Sequence, residues 1–184
     1  MRRLFCLGLI AMLPLFAAGC GDRSLILTVD VLSFLDPADV SQSYGPIPGG
    51  LSAVTVDVAS QEVSLLPGVE DVTDIASASL QIGASFDNTT GSASVHLLIY
   101  ITSADSADVF SSVPIADVPV SLTPGAVTNV STEISSDALA QAMVQDKVKI
   151  GLRISFDTTG SLSPVQGTET ITKLLATVIT KKKL

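Results

Sequence analysis

The sequence predicts an all-β protein: an antiparallel two-sheet sandwich, immunoglobulin-like or related, with one short helix near residues 136–146. Three observations predict it. Apolar and polar residues alternate in run after run of the chain, the period of a strand with one buried face. Only one stretch shifts to a helical period. Clusters of Gly, Pro, Asn and Asp separate the runs at short intervals, as in sandwiches. The chain has 184 residues, 47% hydrophobic but only 4% aromatic, so one domain must build its core from Val, Leu, Ile and Ala.

The elements follow in order. Leu25, Leu27, Val29 and Val31 mark a first strand, and the prolines and glycines of residues 36–50 predict a long loop. Val54, Val56 and Val58 mark a second strand, with Val63 and Leu65 opening a third before Pro67-Gly68. The clearest hairpin is expected next. Ala76 through Phe86 alternate, Asp87-Asn88-Thr89-Thr90-Gly91 turns, and Ala93, Val95, Leu97, Ile99 and Ile101 return on the same apolar face. After an irregular stretch at 103–117 come short strands at 118–122 and 126–134. The run from Ser135 to Val144 then carries helix formers, a serine N-cap and an early acid, with Leu139 and Met143 set to face the core. A final hairpin is expected from Val148, Ile150, Leu152, Ile154 and Phe156 to residues 168–180.

One turn sequence occurs twice. Ser85-Phe86-Asp87-Asn88-Thr89-Thr90-Gly91-Ser92 returns, one residue shorter, as Ser155-Phe156-Asp157-Thr158-Thr159-Gly160-Ser161. Two hairpins selecting the same turn chemistry account for this better than a duplicated half-domain, because the similarity fades outside the turns.

Arg2 and Arg3 precede an apolar run, Leu4–Phe16, and then Ala17-Ala18-Gly19-Cys20. The run has the length and flanks of a secretory signal. Small residues ending on a cysteine resemble the lipobox of bacterial lipoproteins. That resemblance implies a signal at 1–19, lipidation of Cys20, a short tether at 20–24 and a single domain at 25–184. It also implies a membrane partner and an envelope location facing the periplasm, the outer membrane favoured because Gly21 rather than Asp follows the cysteine. Cys6 falls inside the signal, so a mature chain would hold no internal disulfide. Gly21–Ser24 would span at most ~14 Å and hold the domain close to the lipid. The order of elements in 76–180 also resembles the water-stress and hypersensitive-response domain of the late-embryogenesis-abundant superfamily, a β-sandwich with one helix.

Charge is segregated. Between Ser24 and Asp146 there are fifteen acids and no Lys or Arg; from Lys147 onward there are seven bases and two acids. Ion pairs within the acidic body therefore require the last strands. A solvated acidic surface is the preferred reading. Calcium is a second, with ligands from Asp36 and Asp39, from Glu70, Asp71 and Asp74, and from Asp105 and Asp108, although no calcium-loop motif occurs. A basic partner protein is a third. Nucleic acid is disfavoured by the repulsion between acids and phosphates. Lys181-Lys182-Lys183 reads as a solvated tail.

Catalytic motifs are missing. There is no nucleophile elbow, phosphate loop or His/Cys ligand spacing, and His96 is the sole histidine. A carboxylate-based hydrolase is the remaining enzymatic alternative. His96, Leu98 and Tyr100 form either an exposed patch or a face covered by other elements. The function expected on these grounds is a non-enzymatic binding or structural accessory of the cell envelope.

Overall fold

A computed structural model describes residues 23–63, 75–143, 145 and 147–182. Two antiparallel sheets face each other, as the alternation requires. Sheet A contains β1 (Arg23–Asp30), β2 (Ser41–Ile47), β4 (Ile75–Thr90), β7 (Ala126–Ser135) and β9 (Val165–Lys182). Sheet B contains β3 (Val54–Val63), β5 (Ala93–Ser103), β6 (Ala116–Leu122) and β8 (Val148–Asp157), in the order β3-β8-β5-β6. In sheet A the order is β1-β9-β4-β7. The long β9 takes two neighbours on one side: β2 pairs with its first part and β1 with its last.

The inward residues of both sheets make an aliphatic core. Val95, Leu97, Ile99, Ile150, Leu152 and Ile154 from sheet B meet Leu80, Ile82, Ala84, Leu174, Ala176 and Val178 from sheet A. Phe86 and Phe156 are both fully buried; each contributes roughly 1.5–3 kcal/mol by leaving water. Helix α1 (Pro37–Val40) is a single turn capped by Asp36. Helix α2 (Asp137–Met143) is the helix expected from the sequence. Ser136 Oγ accepts the Leu139 N–H at 3.1 Å, and Leu139 and Met143 point inward.

Three expectations are corrected. The second and third strands are one, β3, bent by a register shift between Asp57 and Ala59. The loop expected at 36–50 contains β2, an edge strand whose pairing with β9 overrides its poor alternation. The two hairpins are not hairpins. β4 and β5 lie in opposite sheets, and so do β8 and β9, so each Ser-Phe-Asp turn is a corner that carries the chain across the sandwich. The partners of β4 are β7 and β9; those of β5 are β6 and β8. The shared apolar face is real, but its two halves face each other through the core.

The segregated charges meet at β3 and β8. Arg153 pairs with Asp57, directly across the ladder, and Lys147 Nζ lies 2.8 Å from Glu62 Oε1. On the outer face of sheet B, residues 104–115 fold back over Tyr100. They approach closely because Gly151 has no side chain: a Cβ there would sit 2.7 Å from Val109 Cγ1. Phe110 packs edge-on against Tyr100 and stacks under the Arg153 guanidinium, 4.2 Å from ring centre to Cζ. Tyr100 is thus covered rather than available as a patch.

Candidate functional site

Both corners lie at one pole of the sandwich and interlock. Ser92 N–H donates to Ser161 Oγ at 3.1 Å, and Ser161 Oγ donates to Ser163 O at 2.6 Å. Thr90 Oγ1 donates to Pro164 O at 2.9 Å and Thr89 Oγ1 to Gln166 O at 2.8 Å. Beneath them Asn88, fully buried, donates from Nδ2 to Gly91 O at 2.7 Å and accepts from the Tyr44 hydroxyl at 3.3 Å. Thr158, equally buried, donates to Pro48 O at 2.8 Å and accepts from Leu51 N–H at 3.1 Å. A polar side chain this deep is tolerated because its hydrogen bonds are made.

The corners enclose a cleft of about 690 Å³. Its lining includes Thr89, Thr90, Ser92 and Ser161 together with the apolar Pro46, Pro124 and Pro164. Leu162 stands on the rim, fully exposed. No titratable side chain lines the cleft. That lining offers hydrogen bonds and apolar contact and has no acid, base or charged ligand of its own. The turn chemistry was legible in the sequence; the meeting of the two turns was not.

The other candidate site residues that the structure describes make local contacts. Asp36 Oδ1 accepts the Ala38 N–H at 2.8 Å, Asp108 Oδ1 the Phe110 N–H at 2.9 Å, and Asp39 Oδ1 the Gln42 amide at 3.2 Å. These carboxylates cap local turns. Asp105 N–H donates to Ser103 Oγ at 3.4 Å. Glu70, Asp71 and Asp74 lie outside the described residues, as does Cys20. Among the described residues no group of three His, Cys, Asp or Glu side chains is placed to hold a metal ion. His96 Nδ1 lies 2.7 Å from Asp117 Oδ1, with both side chains about half exposed. Ser155 is the ladder neighbour of His96 on β8, but no hydrogen bond joins them and neither described cleft includes them. Neither described cleft pairs two carboxylates: the polar cleft holds none, and the smaller cleft beside α2 holds only that of Asp137. No catalytic constellation is assembled among the described residues.

One functional-group anomaly escaped the sequence. Glu169 on β9 faces inward in phase with Val165 and Ile171, is 1% exposed, and finds no hydrogen-bond partner for either carboxylate oxygen. Burial pushes its carboxyl up to about 8. Nearby Tyr44 is pushed up to about 12, chiefly by burial and then by Asp87 and Glu169.

No family model and no curated protein matches the chain. Solved structures do share its architecture. A structure of the Gt strain of infectious bursal disease virus is similar at 17% identity and TM-score 0.47, over 85% of this chain and 33% of the other. The Gx strain is similar at 16% and 0.47, over 86% and 32%. A VP2 subviral particle of the same virus gives 14% and 0.43, over 88% and 38%. The chain thus spans about a third of the proteins it resembles, and at these scores the likeness concerns the arrangement of strands and transfers no activity.

These findings correct the lipoprotein reading. The solved structures it matches are of virus particles, at a likeness too low to carry a role, and neither the lipoprotein nor the late-embryogenesis-abundant resemblance meets a family model. The lipid anchor, the membrane partner, the envelope location and the accessory role built on that reading find no support in the comparisons. No described helix is long and apolar enough to cross a membrane.

Proposed function

We propose that the protein is a non-catalytic recognition module that binds an uncharged segment of another protein in the cleft between its two corners. The carrying observation is Leu162: a fully exposed leucine on the rim of a cleft whose walls are braced by main-chain and hydroxyl hydrogen bonds. A rigid site loses little entropy on binding, and an exposed apolar anchor gains contact area when covered. The lining fits a peptide because the threonine hydroxyls, whose protons are given to Pro164 O and Gln166 O, keep oxygens that can accept main-chain N–H groups, while the prolines and Leu162 contact side chains. A sugar would find no aromatic platform there, and an ion no charge.

The test places a photoreactive side chain at position 162 of the full chain, in extract of its own cells. One discrete adduct is expected, competed away by excess unlabelled protein but not by the Leu162→Asp variant. The same probe at exposed Val113, outside the cleft, is the control. No adduct at 162, or the same adducts at both positions, overturns the reading.

A further inference from the structure

The two outermost strands on one side of the sandwich, β6 and β7, differ in how they treat their free edges. An open edge offers unpaired N–H and C=O groups to any other strand, and proteins normally obstruct it. β6 does so with Pro119, which has no N–H to donate, and with Asp117. On the other side β3 has its register shift and two acids, Asp57 and Glu62, and β2 has a register shift and Pro46. β1 adjoins residues outside the described range and is left out of the comparison. β7 carries only one of these devices, a single acid. Its ten residues pair one-to-one with Ser79–Asn88 of β4 without a shift, it has no proline and no base, and its single charge is Glu133.

The sequence of β7 is also complementary to itself. If two copies pair antiparallel about a two-fold axis through Ser131, side chains on the outer face stay on that face. Asn129 of each copy then lies opposite Glu133 of the other, Val127 opposite Ser135, and Val130 opposite Thr132. Glu133 Oε2 already accepts from Gln81 at 3.2 Å, and among the described residues its Oε1 has no hydrogen-bond partner. The Asn129 amide supplies one, twice over. Centring on Val130 sets Glu133 against Val127, and centring on Thr132 sets it against Ser131; neither offers an amide. We propose that β7 is a self-association edge, joining two copies of this chain into one continuous ten-stranded sheet in the Ser131-centred register.

The register makes the test directional. Positions 129 and 131 are exposed on the outer face, so both variants keep the fold, as circular dichroism should confirm. Sedimentation equilibrium of the purified chain is expected to show a reversible dimer. Ser131→Lys, which faces itself across the axis, should weaken it at least tenfold. Asn129→Lys, which faces Glu133 twice, should tighten it. Val127→Lys, opposite Ser135, should change it less than either. A monomer at the highest soluble concentration overturns the proposal. So does a dimer in which Ser131→Lys and Asn129→Lys shift the equilibrium in the same direction, or one indifferent to both, as expected if β7 takes up a foreign peptide instead.

Discussion

The two corners of the sandwich share a sequence but not a burden. In each, a fully buried phenylalanine lies near the end of the incoming strand, an exposed aspartate follows, and the next residue is buried completely. That residue is Asn88 in one corner and Thr158 in the other, and in both it bonds main chain rather than side chains on its own strand. Asn88 ties up its own turn at Gly91 O, whereas Thr158 reaches a different segment, at Pro48 and Leu51. The glycines differ more. Gly91 sits at φ +68 and is pressed against Pro164, while Gly160 has open space around its Cα. The first corner is therefore packed beneath the second. The repeated motif is a shared solution to crossing from one sheet to the other; the unequal surroundings decide what each copy can tolerate.

The comparison breaks most sharply one strand beyond the corners. After the first, β5 points Val95, Leu97 and Ile99 inward; after the second, β9 points Val165, Gly167, Glu169 and Ile171. The largest predicted effect belongs to Glu169. In the folded chain its carboxyl keeps its proton up to about pH 8, against an ordinary value of 4.5. Between those values the folded state binds more protons than the unfolded one, so stability is full below pH 4.5 and is lost as pH rises through 8. The loss is on the order of 4–5 kcal/mol. Urea denaturation from pH 5 to pH 9 should show this decline, and Glu169→Gln should flatten it. An equal decline in both proteins would place the effect elsewhere.

Gly91→Ala and Gly160→Ala come next. An alanine at position 91 meets a positive φ and Pro164 O at 2.6 Å, together worth about 3 kcal/mol. At position 160 nothing stands within 4 Å, and the change should stay within about 1 kcal/mol. Equal losses in denaturant midpoint would show that the corners are equivalent after all. The buried hydrogen bonds follow: Asn88→Ala should cost about 2 kcal/mol, because it also strands the Tyr44 hydroxyl, and Thr158→Val about 1 kcal/mol.

How much of this was legible in the sequence follows from the same residues. Alternation located β4, β5 and β8 and the apolar side of each, because burial on one face imposes period two. It could not say which sheet a strand joins: a turn such as Asp87–Gly91 serves a hairpin or a corner equally well. β2 was read as loop because Ser-Gln-Ser-Tyr-Gly-Pro-Ile has little alternation, and only its pairing with β9 makes it a strand. Glu169 was not singled out from the sequence. Its phase with Val165 and Ile171 was the available signal, hidden by the register shift opposite Gly83 and Ala84 that changes which residues of β9 face inward. The cleft could not be read at all, since it depends on distant turns meeting. The acidic loops stayed open between readings because an aspartate that caps a turn and one that binds a cation look alike until their hydrogen bonds are seen; Asp36 and Asp108 cap turns.

The smallest effect returns to the second corner and has the opposite sign to that of Glu169. Asp157 Oδ1 accepts from Thr159 N–H at 2.9 Å and from Thr159 Oγ1 at 2.6 Å. The hydroxyl and then the main-chain donor hold its carboxyl below the ordinary value of 3.8. A depressed carboxylate stabilises the fold above that value, and the contribution is lost as pH falls below it. The group is fully exposed, so water screens the interaction and the effect on stability is slight. The sensitive measurement is a carboxyl NMR titration of Asp157 in the full chain and in Thr159→Val. Its midpoint should lie below 3.8 in the first and rise in the second, because that variant removes the hydroxyl donor and keeps the main-chain one. An unchanged midpoint would mean that the turn's main chain alone sets the charge at this corner.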